Sequence, residues 1–302
     1  MSAVAAIDLG TNSSRLLVLA ADGRTVLRTA DITRLGGGLG RTGRLSPEGV
    51  AATLEVLGRY RGALDEHDVH EYRVVATAAA RRAADAAGFL TAAADVIGRP
   101  VDVLSGDEEA RLSFAGATAH LAPDQGPFLV ADIGGGSTEL AGGTDAATTV
   151  TSLDLGCVSL TEAELHHDRP RPEELTNAIG FATDAMAEAW RHQPALRDAT
   201  TLVGVGGTFT TLAAVELGLA TYDRTRVHGL VLVRAVVEDV FRTLATESLE
   251  DRVHNPGLQR GRADVIVGGL CIVVALLRNL PADEVHIADA DLLDAVARSL
   301  LA

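Results

Sequence analysis

Three short turns built from glycine and small hydroxyl residues could do chemistry: Gly10-Thr11-Asn12-Ser13-Ser14, Gly134-Gly135-Gly136-Ser137-Thr138 and Gly204-Val205-Gly206-Gly207-Thr208. Such turns present successive backbone N–H groups and let an anion approach the main chain, which suits phosphate. The hydroxyls of Thr11, Ser13, Ser137 and Thr138 can add donors. A hairpin needing positive φ would explain any one of these turns alone. Three of them, two following an acid at the same offset, point to phosphate instead. Those acids are Asp8 and Asp132. A bare carboxylate beside phosphate repels it unless a divalent cation lies between, and Mg²⁺ is usually held by one or two carboxylates, phosphate oxygens and water. Glu139, on the return strand of the second hairpin, is close enough in sequence to share that ion.

Two further residues have the right chemistry. In Ser105-Gly106-Asp107-Glu108-Glu109, Ser105 reads as a helix N-cap and Glu108 as its capping-box partner. Glu109 projects about 100° further around the helix and has no capping role, so it is open between a surface carboxylate and a general base for water. Arg81 follows the strand pattern ending at Ala76-Thr77; it is open between a solvated arginine and a planar fork for phosphate. Other patterns lead nowhere. Gly38-Leu39-Gly40-Arg41-Thr42-Gly43 fits G-x-G-x-x-G, but the helix is expected only after Ser46 and no parallel βαβ unit frames it. His67-Asp68 and His167-Asp168 lack the partners of a metal dyad, and Cys157 reads as a small buried residue.

The elements that must position these groups follow from periodicity. The chain opens with strands at Val4–Asp8, Arg15–Ala21 and Thr25–Thr33, a strand–glycine turn–strand hairpin. Ser46-Pro47-Glu48 caps a helix to about Glu66. A strand at Tyr72–Thr77, a helix at Gly88–Gly98, a strand at Val101–Leu104 and a helix from Ser105 to about His120 follow. The breaker cluster Ala122–Pro127 suggests a division into domains 1–123 and 124–302. The opening pattern then returns: Asp8–Ser14 aligns with Asp132–Thr138 at an offset of 124. Strands at Phe128–Asp132, Thr149–Leu153 and Thr201–Val205 and a helix at Pro172–Trp190 fill the second half. Beyond Thr208 the chain reads as helical to Leu280, with a strand near Val285–Ala288 and a closing helix. The repeat predicts a duplicated α/β architecture with a cleft between the halves.

Composition narrows the function. Of 302 residues 47% are hydrophobic and 22% charged, a globular protein's profile. The formal net charge of −15 argues against coating nucleic acid. All 26 basic residues are Arg; without a Lys there is no Walker-type phosphate loop. Two cysteines, Cys157 and Cys271, make neither a disulfide framework nor a zinc site. The apolar run Val265–Leu277 is too short to cross a bilayer and reads as a buried helix. The N-terminus lacks a signal peptide's basic region, so the expected compartment is the cytoplasm, with no membrane and no nucleic-acid partner.

Six motifs taken together resemble the exopolyphosphatase / guanosine pentaphosphate phosphohydrolase (Ppx/GppA) family. They are Asp8–Arg15, Ala76-Thr77 with Arg81, Ser105-Gly106 with Glu108–Leu112, Asp132–Leu140, Gly204–Thr208 and Arg262–Gly269, in family order over nearly the whole chain. The resemblance implies an α/β, two-domain actin-like ATPase fold, ribonuclease H-like and duplicated. It implies a cytoplasmic homodimer requiring Mg²⁺ or Mn²⁺. By the same resemblance Gly10, Thr11, Asn12 and Ser13 form a first phosphate loop, Gly134, Gly135, Gly136, Ser137 and Thr138 a second, and Gly206, Gly207 and Thr208 a third. Asp8, Asp132 and Glu139 are then similar to metal anchors, Glu109 to the catalytic base and Arg81 to a phosphate-contacting arginine.

The activity so implied is release of orthophosphate from the end of inorganic polyphosphate, by water that Glu109 activates. Hydrolysis of the 5′-phosphate of pppGpp is the same chemistry. An actin-like kinase or ATPase, and a binding protein for (p)ppGpp or polyphosphate, are the other readings; Glu109 placed to activate water argues against a kinase. Ser159 stands where the resemblance leads one to expect Arg, and Arg82 where Asp is usual. Longer family members carry an HD-type C-terminal region, and the chain looks like the short, two-domain form. With its negative charge, a weaker grip on long polyphosphate is expected than in longer relatives.

Overall fold

The computed structural model describes residues 3–301. Two compact units emerge, one made of residues up to Leu112 together with those from Leu292 onward, the other of Ser113–Asp291. In the first, strands β1 (Val4–Leu9), β2 (Ser13–Leu19), β3 (Thr25–Ile32), β4 (Glu71–Ala76) and β5 (Val101–Val103) form one sheet in the order β3-β2-β1-β4-β5. β1 runs antiparallel to β2 and parallel to β4. Successive β1 side chains enter opposite layers, as a period of two requires. Ala5, Ile7 and Leu9 join a core with Leu57, Tyr60 and Leu64 of the helix Pro47–Glu66. Val4 and Ala6 instead meet Leu292, Leu293, Val296 and Ala297 of the last helix, Leu292–Ser299.

The second unit repeats this order. β6 (Phe128–Ile133), β7 (Thr138–Gly143), β8 (Ala147–Leu153), β9 (Thr201–Val205), β10 (Val231–Val233) and β11 (Glu284–Ile287) are arranged β10-β11-β9-β6-β7-β8. β6-β7-β8 form an antiparallel meander, and β9 then β11 lie parallel on the other side of β6. Setting β10 aside, this matches the first sheet strand for strand, which is the duplicated actin-like arrangement. The helix Ile266–Asn279, buried on all sides through Leu277, fills the core of this unit.

Several elements depart from the sequence reading; a short helix, Leu39–Thr42, falls inside Gly38–Gly43, ahead of the helix expected to begin only after Ser46. The stretch expected to be helical after Thr208 contains the edge strand β10, whose three residues are too few for periodicity to register. The compact units divide inside the helix Gly106–Thr118, at Leu112/Ser113, and not at the breaker cluster. The closing helix Leu292–Ser299, assigned by sequence order to the second half, covers the sheet of the first. The last two differences have one cause: helix ownership is set by which apolar face covers which sheet, and a turn signal carries no information on that. Among the described residues, no helix is long and apolar enough to cross a membrane.

Candidate active site

The first two glycine turns close identically. Gly10 N–H donates to Ser13 O at 3.0 Å, and Gly134 N–H to Ser137 O at 3.0 Å. A Cβ at Gly10 would lie 2.9 Å from Ser13 O, so the first turn tolerates only glycine there. Asn12 O accepts from Thr33 and Arg34 N–H, which braces the first loop, while the buried Asn12 Nδ2 has no hydrogen-bond partner among the described residues, a donor suited to an anion. The second loop is braced by the start of the helix Cys157–Glu164: Cys157 N–H reaches Gly134 O and Val158 N–H reaches Gly135 O, each at 2.9 Å. A Cβ at Gly156 would strike Gly135 C and O at 2.4 Å. Thr138 differs from expectation. It is fully buried in β7, and its hydroxyl donates to Leu155 O at 2.6 Å, so that proton is committed to the backbone.

Register sets the acids. Asp8 stands opposite Arg15 and Asp132 opposite Glu139. The two hairpins are therefore electrostatic opposites. In the first, Arg15 Nε and Nη2 both donate to Asp8 Oδ2, at 2.9 and 2.7 Å, and the acid expected to anchor metal is charge-balanced within its own hairpin. In the second, two carboxylates face each other on one side of the sheet, 9% and 2% exposed. Like charges so placed repel, and a pair of hard oxygen donors fits Mg²⁺ or Mn²⁺. Asp132 Oδ2 accepts from Ser113 Oγ at 2.5 Å, and Glu139 Oε1 from Ser152 Oγ at 2.7 Å. Among the described residues, no group of three or more His, Cys, Asp and Glu is placed to hold a metal. Asp132 and Glu139 could supply two carboxylates to such a cation, with water or phosphate completing its shell.

Glu109 and Arg81, which the sequence singles out separately, meet. Arg81, on the short helix Ala78–Arg82 after β4, donates through Nη1 to Glu109 Oε2 at 3.0 Å and to Leu104 O at 2.8 Å. Glu109 is 8% exposed. The capping box forms as read: Ser105 N–H and Oγ each reach Glu108 Oε2 at 2.8 Å, and the Ser105 backbone bond holds the Glu108 carboxyl below its usual range. Glu108 is thereby occupied and Glu109 turns to the arginine.

The third turn lies against the second unit's acid. Gly206 has φ 88°, and a Cβ there would fall 2.8 Å from Asp132 Oδ1. A Cβ on Gly207 would land 1.7 Å from Arg262 Nη1, so the guanidinium covers that glycine. Thr208 is buried beside Cys157 and Gly269, and burial pushes the Cys157 thiol up to about 11. Four neighbours of these groups carry no role in the sequence reading: Arg15, Ser113, Ser152 and Arg262. The signal for Arg15 was present, since it follows Asp8 by the same seven residues that separate Glu139 from Asp132. Nothing in the sequence marks Ser113 or Ser152.

Comparison with known proteins finds relatives along nearly the whole chain. The sequence model of the Ppx/GppA phosphatase family matches residues 18–301. Exopolyphosphatase 2 of Mycobacterium tuberculosis (strain CDC 1551 / Oshkosh) is 37% identical, over 99% of this chain and 99% of its own. The crystal structure of the Aquifex aeolicus Ppx/GppA family member superposes with a TM-score of 0.81 at 33% identity, covering 99% of this chain and 98% of that one. An exopolyphosphatase from Cytophaga hutchinsonii, 23% identical, shares the fold with a TM-score of 0.91 over 99% and 98% of the two chains.

Proposed function

The chain belongs to the Ppx/GppA phosphatase family, and we propose that it is a divalent-cation-dependent exopolyphosphatase that releases orthophosphate from the end of inorganic polyphosphate. The observation that supports this reading is the buried Glu109 carboxylate held by Arg81, an arrangement that suits a base of fixed orientation.

Phosphate oxygens are served in the first unit by the backbone N–H groups of Thr11–Ser13, with the Asn12 amide as a side-chain donor, and in the second by those of Gly135–Ser137 and Gly206–Thr208. Glu109 accepts a proton from water as the water oxygen bonds to the terminal phosphorus in line. The bridging P–O bond breaks, and its electron pair leaves on the shortened chain. Arg81, through its planar fork, keeps the carboxylate turned toward the water. Asp132 and Glu139 would hold the cation, which when bound supplies charge neutralisation at the phosphoryl oxygens. The loop amides, oriented before reaction, stabilise charge as it spreads over the equatorial oxygens.

Phosphate release from polyphosphate, pppGpp and ATP with Mg²⁺ tests this beside Glu109→Ala. Polyphosphate should be hydrolysed, and the variant should lose about 10²–10⁴-fold in kcat, the usual worth of a positioned base. A variant of full activity removes Glu109 from this role. Turnover of pppGpp alone moves the substrate to the nucleotide, and turnover of ATP alone replaces the substrate class.

A further inference from the structure

Each acid of the second hairpin takes a hydroxyl from a serine outside its glycine turn. Ser113, 1% exposed, comes from the helix Gly106–Thr118 and donates to Asp132 Oδ2 at 2.5 Å. Ser152 is the β8 residue in register with Glu139, and donates to its Oε1 at 2.7 Å. Both distances lie in the range of charge-assisted O–H···O⁻ bonds, which favour the ionised acceptor. The far oxygen of Asp132 is bounded as well, since Gly206 approaches Oδ1 so closely that a Cβ would lie 2.8 Å away. Two like-charged carboxylates opposite one another would otherwise swing apart. The serine hydroxyls oppose that swing by fixing one oxygen of each.

We propose that Ser113 and Ser152 are positioning residues for cation binding: they hold Asp132 and Glu139 in the rotamers that let both carboxylates address one divalent ion. This rests on the reading of Asp132 and Glu139 as the cation ligands. Partners that orient metal ligands typically change affinity by about 10–100-fold. The geometry divides the task between two elements, so neither serine alone should abolish binding.

The test is Mn²⁺ binding to the cation-stripped full chain, without substrate, followed by the electron paramagnetic resonance of free Mn²⁺. Ser113→Ala and Ser152→Ala should each weaken binding by about 10–100-fold, and Ser113→Thr, which keeps the hydroxyl, should recover most of the loss. Phosphate release by the alanine variants should need correspondingly more Mn²⁺ for half-activation, with kcat recovering as Mn²⁺ rises. Thermal melts in chelator check that each variant folds. Alanine variants that melt lower but bind Mn²⁺ within about twofold of the parent would show the serines merely satisfy buried oxygens, and the proposal falls. Asp132→Asn and Glu139→Gln separate the layers. If they weaken binding while the serine variants do not, positioning fails and the ligand reading survives; if they leave binding intact, the ligand reading fails and this inference with it.

Discussion

Glu174 collects three donors on one carboxylate. His166 N–H and His167 Nδ1 reach Oε1 at 2.9 and 2.7 Å, and Arg171 N–H reaches Oε2 at 2.8 Å. The Arg171 backbone bond foremost, then His167, pulls its pKa down to about 2. A carboxyl whose folded pKa is depressed adds stability above its unfolded value and loses it as pH falls toward the folded one. Melting temperature should therefore drop between about pH 4.5 and 2 in the parent, and drop less steeply in Glu174→Gln; parallel curves would show the three bonds do not favour the charged form. Glu109 belongs to the same residue type with a different history. The sequence singles it out because Ser105 and Glu108 account for each other and leave their neighbour unexplained, but its role, like that of Arg81, stayed open until the family resemblance supplied one. Ser113 and Ser152 are not singled out, since a serine hydroxyl can serve any carbonyl or carboxylate it reaches. Only the folded register decides which one it serves.

At the scale of elements, helical glycines separate propensity from packing. A Cβ added to Gly62, in the helix Pro47–Glu66, would meet nothing within 4 Å, whereas at Gly116, in the helix Gly106–Thr118, it would lie 2.0 Å from the Asp291 carbonyl oxygen. Alanine in a helix interior gains roughly 0.5–1 kcal/mol over glycine, and overpacking against immobile atoms costs about 1–3 kcal/mol or more. The signs must differ: Gly62→Ala should raise the melting temperature and Gly116→Ala lower it, by differential scanning calorimetry. A neutral Gly116→Ala would mean the Asp291 backbone yields freely. Propensity alone ranks these two glycines equally, and the same blindness hid the ownership of the helix Leu292–Ser299. Its amphipathic pattern announced a buried face, but not that Val4, Ala6, Leu17 and Leu19 would cover it. The glycine hairpins were legible for the opposite reason: their turn chemistry and strand pattern are local, and the repeat displays both twice.

At the scale of the whole molecule, charge sets how substrate arrives. The chain carries −15, and polyphosphate gains negative charge with every unit, so long-range forces oppose association. The arginines near the candidate site act at short range, and several are balanced locally: Arg15 by Asp8, Arg81 by Glu109. Between like-charged partners salt accelerates encounter, because screening over about 8–10 Å removes repulsion more than it removes contact attraction. Raising KCl from about 0.02 to 0.15 M at fixed, saturating Mg²⁺ should then raise kcat/KM for polyphosphate and leave kcat unchanged. The gain should be larger for long chains than for tripolyphosphate, whose few charges feel less of the field. A fall in kcat/KM with salt would mean the local arginine field reaches substrate before the global charge does. Rates that climb steadily with chain length at low salt would mean a basic track along the surface holds the chain, which the net charge argues against.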